Sequence, residues 1–407
     1  MYSHFLDAGI PLDRIELSLS EGSYATFTAK LEELKGQKEL NNTYRPSEIG
    51  IIGAGDFGVA LSQSFNPSVN VLFYDFEPVR NIFSSVTRIN TNRSFVHHFG
   101  PNVDFTADLK KVLEARFIVL CVPANALPSM IDQIKTSIPD SYKQKQYVLV
   151  SKGFVGKGYI PHRWLERNGI PFEQIIWASG GNVAKEVMER RAFKISVVSI
   201  NKNKKARKEF AGLFNREYLV PLEYSGSALL ACELGGILKN YYAGFGRYIL
   251  SKHGEEALRK YKYMVRSEFR KSVRMVAGSP TVSIRGWVIR KASHGPAFWE
   301  DLDVTIRDGR NGFFGEAVFN GGSVKTSLDE LGLVESFKTV FSTLSLFNRL
   351  SRHAFKRLKT LKSILEIYEE IHIEYLERGD AHISDDTKKV IQKLEERTLK
   401  YKPYWVF

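Results

Sequence analysis

Six residues, Gly53-Ala54-Gly55-Asp56-Phe57-Gly58, directly follow a short apolar run, Ile49–Ile52, and open a helical pattern that continues from Val59 to Phe65. Glycines at this spacing suit one task. The first permits a tight turn, the second lets the backbone approach a pyrophosphate, and the third lets helix and strand pack closely. Amide groups at the start of the helix then face the phosphates. A second apolar run ends at Asp75, twenty-two residues past Gly53. A carboxylate there accepts hydrogen bonds from the adenosine ribose and repels a 2′-phosphate, which favours NAD over NADP. Arg80 is a counter-signal but reads as a surface residue. Two lysines stand in settings that suit proton chemistry. Lys152 follows the run Tyr147–Val150, and Lys239 lies inside a helical run among small residues. A lysine partly desolvated beside a second cation has its pKa lowered enough to donate and accept a proton.

The elements that must position these residues fall into two kinds. From Ser47 to about Ile200, short apolar runs alternate with helical stretches: Ile49–Ile52, Val69–Tyr74, Phe117–Val122, Tyr147–Val150, Ile175–Ala178 and Ile195–Ile200. Runs apolar on both faces predict strands of a buried, parallel sheet. Lys152 then sits at the carboxyl edge, where doubly wound folds bind ligands. Beyond Ser225 helices take over, from Gly226 to Leu250 and from Leu328 to Gly379. The expected fold is therefore an α/β Rossmann-type domain with a mainly parallel sheet, followed by an all-α domain. Residues 1–46 read as an N-terminal extension, 47–215 as the NAD-binding domain, 216–380 as the helical substrate domain, and 381–407 as a C-terminal extension.

Composition narrows the class. At 407 residues, 43% hydrophobic and 25% charged, the chain has globular rather than disordered character. No apolar run approaches the roughly 20 residues of a membrane-spanning helix. Cys121 and Cys232 are too few and too far apart for a disulfide framework or a cysteine-built zinc site, which points to a reducing, cytoplasmic setting. His97, His98 and His294 lack partners at ligand spacing, so no metal is expected. The net charge of +13 is concentrated: residues 201–291 hold nineteen Lys and Arg against seven Asp and Glu. Such a band suggests an anionic partner, although no nucleic-acid motif accompanies it and nucleic acid is not expected.

Five segments in order carry a resemblance to a known family: Gly53–Gly58; Val150-Ser151-Lys152-Gly153; Gly180-Gly181-Asn182-Val183-Ala184-Lys185-Glu186; Gly235-Gly236-Ile237-Leu238-Lys239-Asn240; and Asp301-Leu302-Asp303-Val304-Thr305 with Gly309-Arg310-Asn311. The chain resembles NAD-dependent glycerol-3-phosphate dehydrogenase, within the superfamily whose C-terminal domain is like that of 6-phosphogluconate dehydrogenase. The resemblance implies Lys239 as acid/base, Lys152 as the lysine that polarises the carbonyl, and Asp301 as the carboxylate that orients them. It implies substrate contacts from Asn240, Thr305, Arg310 and Asn311, the last three holding the phosphate. Cofactor contacts would come from Gly53, Gly55, Asp56, Phe57, Gly58, Asp75, Pro123, Lys152, Ala184, Arg310 and Glu335. The reaction implied is reversible reduction of dihydroxyacetone phosphate by NADH to sn-glycerol 3-phosphate.

The sequence also departs from the family. Ser251 to Arg274 is strongly charged where members have small residues, Gly181 replaces a common proline, and Ser336 replaces a glycine after Glu335. The charged stretch raises a second reading, the same chemistry on a larger phosphorylated sugar or polyol. A third is a catalytically silent dinucleotide-binding protein with a basic anion-binding surface. The aromatic end, Tyr401, Tyr404, Trp405 and Phe407, is expected to dock on this chain or on a partner, and a homodimer is the expected assembly.

Overall fold

Apolar runs of four to seven residues cannot stay in water on either face, and the chain stacks them into one sheet covered on both sides. The computed structural model describes residues 48–402, apart from 54, 75–101, 181–192, 218, 227, 278–292, 333 and 351–354. Its strands are β1 (Ile49–Ile52), β2 (Val71–Tyr74), β3 (Val103–Thr106), β4 (Phe117–Leu120), β5 (Gln146–Leu149), β6 (Ile175–Gly180), β7 (Phe193–Ser199) and β8 (Leu219–Ser225). They lie side by side in the order β3-β2-β1-β4-β5-β6-β7-β8. Neighbours run parallel throughout except β6 and β7, where Trp177 pairs with Val198 in an antiparallel register. The mainly parallel sheet expected from the sequence is therefore present. Its order reverses between β1 and β4, which opens a crevice at their carboxyl ends.

Alternate residues of each strand supply two cores. Ile52, Leu120, Leu149 and Trp177 face one side, where α2 (Leu109–Leu113), α3 (Leu127–Ser137) and α4 (Pro161–Arg167) cover them. Ile51, Val119, Val148 and Ile176 face the other, against Leu61 of α1 (Asp56–Ser62) and Phe210 of α5 (Lys204–Gly212). There Phe65 stacks on Phe214 with ring centres 4.8 Å apart.

The first of these cores continues without a break into the helical region. Its axis is α6, a helical span Ala228–Ala277 broken at Gly254, whose φ of 75° and ψ of −172° leave helical space. Around it pack α7 (Asp301–Asp308), α8 (Arg310–Phe319), α9 (Val324–Leu331), α10 (Glu335–Leu350), α11 (Lys359–Arg378) and α12 (Asp385–Leu399). Side-chain oxygens start two of these helices: Ser323 accepts from Thr326 N in α9 and Ser384 from Thr387 N in α12. Helices α6 and α8 touch backbone to backbone, because Gly244 and Gly315 face one another with no space for a Cβ on Gly315.

The single helical stripe read from Leu328 to Gly379 is in fact three helices. Of these α10 and α11 lean on α6, while α9 leans on α8 and α11, so the apolar period carries across the breaks between them. The run read from Gly226 to Leu250 continues to Ala277, because Leu258, Tyr261, Val265, Phe269 and Val273 bury one face beneath the charged residues. No described helix is long and apolar enough to cross a membrane. Outside the described residues lie Asp75, Arg80, His97, His98, the segment Gly181–Glu186 with Ala184, the first 47 residues and the aromatic end from Pro403.

Candidate active site

At the crevice the glycine loop has the geometry its three roles require. Gly53 turns at φ 105°, and a Cβ there would lie 2.7 Å from the carbonyl oxygen of Cys121. Among the described residues nothing lies within 4 Å of a would-be Cβ on Gly55, so its backbone is open to an approaching ligand. Gly58 packs directly over Gly53 and beside the Cys121 sulfur, where any side chain would push α1 off the sheet. Phe57 packs, partly buried, against the core that contains Ile51 and Leu61. Pro123 follows β4 on the same edge, and Ala124 beyond it lies in van der Waals range of Gly153. An open second glycine between two closely packed ones fits a dinucleotide pyrophosphate.

From the same edge the chain leaves β5 at Leu149 and presents Lys152. Its Nζ donates to the carbonyl of Gly180, at the end of β6, at 3.0 Å, and to Asp301 Oδ2 at 2.9 Å. The other oxygen of Asp301 takes a hydrogen bond from Lys239 of α6. Lys239 also donates to Thr305 Oγ1 at 2.8 Å, and that hydroxyl donates to the carbonyl of Asp301 at 2.6 Å. Asp301 and Thr305 lie one turn apart on α7, which is why one helix face serves both. The Lys152 side chain is 22% exposed and that of Lys239 9%, so one ammonium reaches the opening and the other stays inside.

Burial pulls the Lys239 pKa down to about 8; Asp301 opposes that shift and the charge of Lys152 adds to it. A buried carboxylate between two cations compensates charges that would be costly alone. Gly236, one turn before Lys239, leaves space for the Lys152 stem, whose Cγ would sit 3.5 Å from a Cβ at that position. Gly235 is the tighter position, since a Cβ there would lie 2.7 Å from the carbonyl oxygen of Ala297.

A second group adjoins the first. Arg310 opens α8 and is 45% exposed, with its guanidinium 3.8 Å from Glu335 Oε1. Asn311 is buried; its amide donates to Glu335 Oε2 at 2.8 Å, and its oxygen accepts from Ser336 N at 2.9 Å. Both ends of the Asn311 amide thus hold the start of α10. Thr305 is likewise engaged with Lys239. Of the three residues the resemblance placed on the phosphate, Arg310 is the one whose side chain reaches the opening. Asn240 is buried beside Lys239.

Lys152, Lys239, Asp301 and Thr305 therefore converge, and Arg310, Asn311 and Glu335 form a second cluster beside them. Sequence reading missed three supports of the Lys152 segment. Ser342 and Arg349 of α10 donate to the carbonyls of Gly156 and Gly158, at 3.2 and 3.0 Å. Glu233 of α6 receives the backbone N–H of His162 at 3.1 Å. A lone carboxylate within the apolar run Leu229–Leu238 was the available signal. Among the described residues, no cluster of His, Cys, Asp and Glu is arranged to hold a metal.

A mainly parallel sheet with an open glycine loop at its reversal point, joined to a helical region that brings lysines to the same edge, defines a dinucleotide-dependent dehydrogenase. Residues 48–206 match the family described as the N-terminus of NAD-dependent glycerol-3-phosphate dehydrogenase. The NADP(+)-dependent glycerol-3-phosphate dehydrogenase of Archaeoglobus fulgidus is 25% identical over 346 residues, which is 80% of this chain and 96% of that protein. The glycerol-3-phosphate dehydrogenase [NAD(P)+] of Leptospira biflexa is 26% identical over 376 residues, covering 87% and 98%. The crystal structure of glycerol-3-phosphate dehydrogenase from Coxiella burnetii superposes with a TM-score of 0.66 at 21% identity, covering 86% of this chain and 98% of that one. The enzyme of that name from yeast, Saccharomyces cerevisiae, gives 0.64 at 18% identity over 86% and 100%. The similarity to glycerol-3-phosphate dehydrogenases thus extends over most of the chain.

Proposed function

We propose that this protein reduces dihydroxyacetone phosphate with NADH to sn-glycerol 3-phosphate, and catalyses the reverse oxidation. The observation that carries this reading is the shared Asp301, with one oxygen on Lys152 and the other on Lys239, at the carboxyl edge beside the glycine loop. A bound dihydronicotinamide would supply hydride to the carbonyl carbon. Lys239, held at a pKa of about 8, gives a proton to the carbonyl oxygen during reduction and takes it back during oxidation. Lys152 draws electron density onto that oxygen, and Asp301 keeps both ammonium groups aimed at it. Arg310, partly exposed at the start of α8, takes the phosphate through its planar fork. Asn311 and Glu335 hold the helix ends that present it.

NAD rather than NADP is proposed from Asp75. A cytoplasmic setting is proposed from the two free cysteines, and a homodimer is the assembly expected. The enzyme should oxidise NADH with dihydroxyacetone phosphate, followed by nicotinamide absorbance, and should prefer it to NADPH. Lys239→Ala should lower kcat by about 10²–10⁴-fold. NADH binding without turnover of the triose phosphate would overturn the substrate assignment and leave the silent dinucleotide binder or a larger phosphorylated ketone. The charged stretch does not favour the larger substrate. Lys252, Arg259 and Lys262 are paired with Glu395, Glu256 and Asp303, and Arg266 lies over the rings of Tyr263 and Trp299.

A further inference from the structure

Lys152 is useful only if its ammonium stays within reach of Asp301, yet it sits on a segment with no strand or long helix of its own. After β5, residues 151–160 form a short excursion closed by the bridge Val155↔Tyr159, and α4 begins at Pro161. Something outside the segment must fix it. At its tip α10 grips Gly156 and Gly158 through Ser342 and Arg349. At its end His162 meets Glu233 twice, through the backbone N–H and through ring Nδ1, which donates to the second carboxylate oxygen.

Both contacts are buried. The His162 side chain is 6% exposed and that of Glu233 1%, while Phe172 stacks on the imidazole with ring centres 5.4 Å apart. Glu233 stands three residues before Gly236, so the carboxylate and the surface that receives the Lys152 stem lie on one face of α6. Lys239 follows one turn beyond Gly236. The helix that carries one ammonium thus fastens the segment that carries the other.

We propose that the buried His162–Glu233 contact is a positioning pair for the reaction, holding the 152–162 segment on α6 so that Lys152 and Lys239 share Asp301. This rests on the dehydrogenase reading above. The charged groups that face Lys239 are Asp301 of α7, Lys152 of the segment itself and Glu335 of α10. Lys152 is the cation among them. A segment that loosens carries this cation away, and Lys239 then holds its proton to higher pH. A contact that only capped a seven-residue helix would change stability and leave this titration alone.

The test compares wild type with His162→Leu, His162→Asn and Glu233→Gln in the full-length chain. An asparagine amide can replace the Nδ1–H donor, and leucine cannot. His162→Leu should lower kcat of reduction by about tenfold, with a smaller change in KM. It should also move the alkaline limb of the pH profile upward by about half a unit or more. His162→Asn should restore both. An unshifted limb in His162→Leu, or an asparagine variant as impaired as the leucine one, would overturn the proposal. Should the leucine variant fail to fold, Glu233→Gln decides: the limb moves the same way, or the proposal fails. Labelling of Lys152 by an amine reagent, with exposed Lys400 as internal reference, should rise several-fold in His162→Leu and fall back in His162→Asn. That readout needs no substrate, so it separates failure of the pair from failure of the dehydrogenase reading in wild type.

Discussion

Lys239 carries the sharpest consequence at the scale of single residues, because its pKa near 8 divides the two directions of the reaction. Reduction needs the ammonium, so its rate should hold below pH 8 and fall above. Oxidation needs the free amine and should climb over the same range. Asp301 is the strongest influence raising that pKa. Asp301→Asn should therefore move the limb to lower pH and reduce the rate of reduction at neutral pH, as pH–rate profiles in both directions will show. The same shift bears on stability. The folded value lies below the ordinary 10.5, so burying this cation costs stability below pH 8, and the cost fades as pH rises from about 8 towards 10.5. Lys239→Met should thus lose turnover without a lower melting temperature at neutral pH. A fall of several degrees would mean that the contact with Asp301 outweighs the burial.

Elements carry the site through contacts that leave no slack. A methyl group on Gly315 would overlap the Gly244 backbone, so Gly315→Ala should separate α6 from α8 and cost about 1–3 kcal/mol in denaturant unfolding. Buried Glu268 caps α11, accepting from Thr360 N and Leu361 N at 3.0 Å and from Arg397 at 2.9 Å. The Thr360 hydroxyl donates to it as well, and Glu268→Ala, which removes the acceptor of all four groups, should cost about 3–5 kcal/mol by the same measurement. Little of this packing was legible beforehand. Strand β1 was read to the residue, since Ile49–Ile52 is apolar throughout and bounded by the glycine loop. Strand β3 escaped notice because Asp104 interrupts it, and β8 because it contains Pro221 and Glu223. Both lie at sheet edges, where a strand need not be apolar on both faces and a proline removes no ladder bond. Lys152, Lys239 and Asp301 could be named in sequence because their motifs are local. Glu233, Ser342 and Arg349 could not, because each acts through a partner between 71 and 191 residues away.

Across the whole molecule, the charge of +13 and the placement of the site are separate matters. Much of the basic stretch braces α7 from behind: Lys262 reaches Asp303 and lies 4.6 Å over Trp299, while Phe269 stacks on Phe298 at 4.0 Å. Lys271 and Arg274 are exposed on the same helix. Reversing both to glutamate should weaken retention on heparin yet change KM for the triose phosphate by less than about twofold at physiological salt, where screening acts over about 8 Å. The antiparallel pair β6 and β7 matters more for placement. Because the chain turns back there, β8 ends at the edge opposite the glycine loop, and α6 must start from the far side. Lys239 comes eleven residues after Ala228, a rise of about 16 Å at 1.5 Å per residue, which is close to the height of the sheet. The helix therefore works as a ruler laid under the strands, with the lysine as the mark where it clears the rim. A one-residue insertion before Gly235 would swing that mark by about 100° and aim it into the core. Removing four residues would bring its bearing back to within about 40° and leave it about 6 Å short of Asp301.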